Sequence, residues 1–272
     1  MKKTKKTNKI FLFATRLVKK ALDDDLFALS NELAYKILLS FFPFMVFLVS
    51  LLGFLNLQDT QTIMRLFENL PQDIATTLYQ FISELQARPS AGLLSASLIV
   101  SIYSASNGFR AVMRGVNKAY GFNDKRSFIK KTAICAALML IFTFSIIIML
   151  GLWIFSEILL STLIPHLPLG INITIRISSA LIAIGVLIAS ISWIYWLACA
   201  QRDKVRILPG ACTTVILWFI ASEAFAIFIS QFSNISIIYG SIAGVFILII
   251  WLNLISLFLL IGNSVNALLE TK

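Results

Sequence analysis

Six stretches of this chain are apolar for long enough, as α-helices, to cross the hydrocarbon core of a lipid bilayer. A helix rises about 1.5 Å per residue, so a core of about 30 Å needs roughly 20 residues. The stretches are Leu33–Leu55, Ala91–Gly108, Thr132–Ser156, residues 173–200, Leu208–Ser230 and Tyr239–Leu268. Composition agrees: 58% of residues are hydrophobic and 13% charged, with a mean hydropathy of +0.88, against roughly 45–50% and 25% in soluble domains. No remaining stretch is long enough for a separate globular domain. The expected fold is an all-α polytopic membrane bundle of six transmembrane helices over residues 33–268, preceded by a basic segment, 1–32, and followed by a short tail, 269–272.

The net charge of +10 raises the question of nucleic acid, and the placement of the charges answers it. Of the 23 Lys and Arg residues, 20 fall in the N-terminal segment, at Lys36, in 109–131, in 201–207 and at Lys272. Arg65, Arg88 and Arg176 alone fall on the other side of the alternation. Lys and Arg gather in short cytoplasmic loops of membrane proteins. The charges therefore read as orientation, with both termini cytoplasmic in a bacterial inner membrane, and not as a nucleic-acid footprint.

The segments between spans have their own patterns. In residues 10–29, Ile10, Phe13, Ala14, Leu17 and Ala21 recur at helical spacing, with Arg16, Lys19 and Lys20 towards another face. Such a basic amphipathic helix suits the membrane interface and anionic headgroups, or else packs on the bundle. Residues 56–90 read as two short amphipathic helices in the first outer loop, with Pro71 opening the second. In 109–131, Arg110, Arg114 and Lys118 step by four along a short helix, and Gly121 with Asn123–Asp124 supplies a turn before Arg126. This row is the candidate contact for anionic headgroups.

Within the spans, a few polar residues are candidates for function. Glu223 is an intramembrane acid, expected to face the bundle, either as a coupling site or as a neutral carboxyl hydrogen-bonded to a neighbour. Ser97, Ser101, Ala105 and Gly108 share one helix face, which suits close packing or a water-lined path; Asn107 follows them. Asn253, Asn263 and Asn266 in the sixth span need partners in hydrocarbon, and Gly240 and Gly244 form a GxxxG pair suited to helix packing. Pro43 is expected to kink the first span, and Glu32 and Lys36 are placed to pair at its start. The three cysteines, Cys135, Cys199 and Cys212, form no CxxC, and His166 stands alone in an outer loop, so no metal site, disulfide framework or cofactor is expected. No phosphate-binding loop, HExxH helix or GxSxG elbow occurs, and no enzyme is expected.

Taken together, several of these segments resemble the YihY/virulence factor BrkB family of bacterial inner-membrane proteins. The residues that carry the likeness are Leu33-Ala-Tyr35 with Ser40-Phe-Phe-Pro43, Tyr103 to Arg110, Asn117-Lys-Ala-Tyr-Gly121 with Arg126, Leu208-Pro-Gly-Ala211 with Trp218, and Tyr239-Gly240, Trp251, Gly262 and Asn266-Ala267. Members often carry Glu where Ser264 stands, and an aromatic or apolar residue where Lys36 stands. The resemblance implies a six-helix envelope protein suspected of transport, in a family sometimes labelled ribonuclease BN. It leads to the expectation of a transporter or flippase-like exporter of a lipid-linked or anionic envelope substrate, or alternatively a membrane scaffold for envelope assembly or division partners. Membrane lipids are the expected partners, with a homo-oligomer as an open alternative, and nucleic acid is not expected.

Overall fold

The computed structural model describes residues 2–54, 83, 90–163, 169–201, 205–231 and 241–270. Seven long helices and no strand occur among them: α1 (Lys2–Asp23), α2 (Leu26–Phe54), α3 (Ala91–Tyr120), α4 (Phe128–Leu163), α5 (Leu169–Ala198), α6 (Leu208–Gln231) and α7 (Ser241–Glu270). The two amphipathic helices expected in 56–90, His166, and Gly240 of the GxxxG pair lie outside the described residues.

Among the described residues, four helices are long and apolar enough to cross a membrane: Phe128–Met149, Ile173–Ala198, Leu208–Phe228 and Phe246–Glu270. Only 17–22% of the residues in these windows are buried inside the protein. Much of the rest is exposed and apolar, such as Leu181, Ile220 and Phe246 at 59–63% exposure, a surface suited to lipid or another apolar partner. The serines of α3 dilute its apolar content.

Two sequence boundaries are corrected. The N-terminal amphipathic segment does not run to residue 29; α1 ends at Asp23, and α2 already begins at Leu26. Three consecutive aspartates make the break, with Asp25 in the left-handed region at φ 53°, a conformation that Asp tolerates better than most residues. The Arg110–Lys118 row is not a separate short helix either. It is the end of α3, which continues through Asn107 and Gly108 and stops only at Gly121. Gly121 sits at φ 68°, and the N–H groups of Gly121 and Phe122 donate back to Lys118 and Asn117 O, closing a glycine cap. At the other end the Ser90 hydroxyl accepts from the Leu93 N–H at 3.4 Å.

α1 is amphipathic in three directions. Phe13, Leu17 and Ala21 are half-buried, Arg16 and Lys19 are exposed, and Phe11, Val18 and Leu22 form an exposed apolar face. At 100° per residue these are three separate faces. The most extensive packing in the bundle is α2 on α3, and α7 packs on α1, α2, α3 and α6. Pro43 lies inside α2, and the helix runs on through it.

Candidate functional site

The polar side chains of this fold concentrate at the end of the bundle where the α1–α2 turn, the α3–α4 loop and the α5–α6 link meet. The loop 121–127 is held there by Arg126, whose side chain is 9% exposed. Its Nε and one Nη donate to the two carboxylate oxygens of Asp124 at 2.7 and 2.9 Å. The remaining Nη–H groups donate to the carbonyls of Leu197, Ala198 and Cys199 at 3.1, 2.7 and 3.3 Å. These carbonyls end α5, where a helix leaves acceptors without intrahelical donors and favours a cation. Asn117 completes the cap: its Nδ2 donates to Ala198 O at 3.0 Å, and its Oδ1 accepts from the Ala200 N–H at 2.7 Å. Burial would raise the Asp124 carboxyl; the Arg126 hydrogen bonds and the charges of Arg126 and Lys131 outweigh it and hold the group below the usual carboxylate range.

Three of the four candidate headgroup contacts also have partners inside the protein. Arg126 has spent all five N–H groups inside the protein. Arg114 forms an ion pair with Glu32, and Lys118 with Asp25 at 2.9 Å. Glu32 also takes Lys36 at 2.5 Å, the pair placed by their spacing of four. These bridges tie α3 to α2 and to the turn before it. Arg110 differs. One Nη donates to Thr132 Oγ1 at 2.9 Å and the guanidinium lies 4.4 Å from the Phe128 ring centroid, while its buried Nε–H has no partner.

Between α2, α3 and the loop lies a cavity of about 710 Å³, with Arg110, Arg114, Lys118, Lys131 and the carboxylate of Asp124 in its wall beside Leu29, Met113 and Phe122. A second, of about 680 Å³, lies on the far side of the loop, with Lys125, Arg126 and Lys130 in its wall.

The intramembrane candidates are dispersed. Ser97 and Ser101 are buried and donate to carbonyls of their own helix, Leu94 O at 3.0 Å and Ser97 O at 2.6 Å. Gly108, on the same face, lies against Lys36 of α2. Asn107 is half-buried. Asn253 donates across to Asn31 of α2. Asn263 is fully buried and donates to Val116 O at 3.2 Å. Glu223 is exposed on α6, not turned into the bundle as expected. It stands five residues from the C-terminal end of the apolar window Leu208–Phe228, about 7.5 Å along the axis, which is within reach of an interface for a carboxylate that avoids hydrocarbon.

The sequence marked Asn266 as needing a partner but not which one. Asn266, fully buried, accepts from the Gly210 N–H at 2.6 Å and donates to Ile207 O at 3.2 Å. Beside it Tyr195 donates to Leu259 O at 2.6 Å and hydrogen-bonds with Thr214 at 2.7 Å. Gly210 and Gly262 bring the backbones of α6 and α7 together here. A Gly and two Asn within five residues of an apolar run were the available signal. Ser264 is buried in the same stretch and donates to Leu260 O.

Comparison with known proteins follows the same outline. A family model described as virulence factor BrkB matches residues 17–272. The chain is similar to the ribonuclease-like protein YfkH of Bacillus subtilis (strain 168), with 34% identity over 250 residues, covering 89% of this chain and 90% of that protein. It is also similar to a UPF0761 membrane protein of Kangiella koreensis, with 24% identity over 238 residues, covering 86% of this chain and 58% of that protein. No solved structure matches. Among the described residues, no group of three His, Cys, Asp or Glu could hold a metal ion.

Proposed function

The chain belongs to the virulence factor BrkB family, a family of membrane proteins, and from that premise we propose that it is a six-span transporter of the bacterial inner membrane, flippase-like, that exports an anionic envelope substrate. In this reading α2 and α3 cross the membrane with the four more apolar helices, and the end of the bundle that carries Arg126 faces the cytoplasm. The division of Lys and Arg, 20 against 3, supports that orientation. The observation that carries the function is the cavity of about 710 Å³ with four cations in its wall, open at the end where a cytoplasmic substrate or inner-leaflet headgroup arrives. Glu223 and the buried Asn and Ser residues of α3 and α7 are its candidate coupling and path groups.

Reconstituted vesicles test this. With a fluorescent phosphatidylglycerol in both leaflets and an impermeant quencher outside, vesicles holding the chain are expected to lose the protected half of the signal, and protein-free vesicles to keep it. Glu223→Gln is expected to slow that loss while leaving the unfolding temperature unchanged, because Glu223 is exposed. Equal protection with and without the chain, for anionic and zwitterionic lipid alike, contradicts lipid movement by this protein.

A further inference from the structure

We propose that the cavity beside Arg110 is a binding site for a phosphate group, as a phosphomonoester or phosphodiester; this deepens the reading of the cavity as the place where an anionic substrate first binds. The charge balance around it is the first reason. Glu32 is shared by Lys36 and Arg114, and Asp124 by Arg126 and Lys131. Asp25 takes Lys118, and Arg110 has no carboxylate among the described residues. In the wall itself Arg110, Arg114, Lys118 and Lys131 stand against one carboxylate, Asp124, a surplus that a bound dianion would largely neutralise. In a recess walled partly by apolar side chains that surplus is only weakly screened, so it attracts counter-charge more strongly than the same residues would on an open surface.

The residue types supply the second reason. Arg110 is fixed by stacking on Phe128 and by its bond to Thr132, so little side-chain freedom remains to be lost when it meets an anion. A fixed, planar guanidinium suits the oxygens of a phosphate. Lys131 adds a cation that donates to Asp124 O at 3.1 Å and lies 3.7 Å from its carboxylate, so two of its three N–H groups remain for an anion. The third reason is shape. The cavity is larger than a bare phosphate ion needs, and Leu29, Met113 and Phe122 in its wall suit the less polar part of a headgroup or ester.

The test uses the full chain purified in a zwitterionic detergent. Calorimetry with inorganic phosphate, pyrophosphate and succinate reads the free-anion arm. Chain in phosphatidylcholine nanodiscs, with and without phosphatidylglycerol, reads the lipid arm through the anionic lipid retained per protein. Binding of pyrophosphate or retention of phosphatidylglycerol is expected, with succinate weaker. Arg110→Gln with Lys131→Gln is expected to weaken it by at least about tenfold. Arg110→Lys, which keeps the charge, is expected to fall between these and to show that loss follows charge and not folding. Lys125→Gln, in the wall of the second cavity, is expected to leave binding unchanged.

Pyrophosphate binding without lipid retention identifies a soluble phosphate ester as the ligand, and the reverse identifies a headgroup; either supports the site. Equal binding in wild type and in the double variant, or succinate binding as tightly as pyrophosphate, overturns it. The vesicle experiment then still judges transport independently, since a chain can move lipid without this site or bind phosphate without moving it.

Discussion

Gly262→Ala is expected to destabilise the bundle by about 3–5 kcal/mol, a large share of the roughly 5–15 kcal/mol that holds a typical domain folded. The added Cβ would overlap Thr214 Oγ1 and Gly210 O and crowd the Tyr195 hydroxyl. Two of these are hydroxyls already fixed in buried hydrogen bonds, and one is backbone, so none can swing aside. Overpacking of this kind costs about 1–3 kcal/mol, and each buried hydrogen bond forced apart adds about 1–3 kcal/mol. Gly210→Ala is expected to behave alike, since its Cβ would meet Gly262 O and the Asn266 carboxamide. Gly151→Ala and Gly185→Ala are the controls: no atom lies within 4 Å of either added Cβ, and alanine is the better helix former by about 1 kcal/mol. Unfolding in detergent, followed by circular dichroism, separates the two classes; similar losses at all four positions would show that the close approach of α6 and α7 is not what matters.

Arg126→Met is expected to cost about 3–5 kcal/mol, the usual penalty for removing one partner of a buried ion pair. It leaves the Asp124 carboxylate, 16% exposed, with Lys131 at 3.7 Å, and removes a donor from three carbonyls at the end of α5, of which Ala198 O keeps Asn117. Arg126→Lys is expected to recover little, because a single ammonium cannot span both the carboxylate and the helix end. The acid limb of the stability profile reads the same clamp. The Asp124 carboxyl is held below its usual range, so its contribution is complete above the unfolded value of about 3.9. That contribution is lost as pH falls through the lower folded value. The stability difference between wild type and Asp124→Asn is therefore expected to be constant from about pH 7 to 5 and to shrink below about pH 4.

What the sequence made legible follows from the range over which each feature acts. Apolar runs are local, so helices were readable from them, and so was the Glu32–Lys36 pair at a spacing of four. The partners of Arg114 and Lys118 were not readable, since Glu32 and Asp25 lie 82 and 93 residues away. Arg126 looked like one more cytoplasmic cation because its acceptors are the ends of a helix 71–73 residues further on. Gly240 and Gly244 drew attention through their local spacing, while Gly210 and Gly262, on different helices, have no spacing to notice. From sequence, the second span ended at Gly108. The helix continues because that face lies against α2, and tertiary packing overrides the weak local preference.

The site divides in the same way. The basic row was visible in the sequence, but which of its members are neutralised depends on contacts between helices. Only the assembled charges show that Arg110 stands apart from the ion pairs around it, and only the fold shows that it borders a cavity.

The central claim is a six-span bundle whose clamped, basic end faces the cytoplasm. It is tested most directly by thiol labelling in intact cells, with Cys135, Cys199 and Cys212 first replaced. An impermeant maleimide is expected to label Gln72→Cys, His166→Cys and Asn234→Cys from outside. It is expected to reach Lys125→Cys and Gln201→Cys only after the membrane is permeabilised. Labelling of Lys125→Cys in intact cells, or a split among the three outer positions, would contradict the orientation and with it the cytoplasmic placement of the cavity.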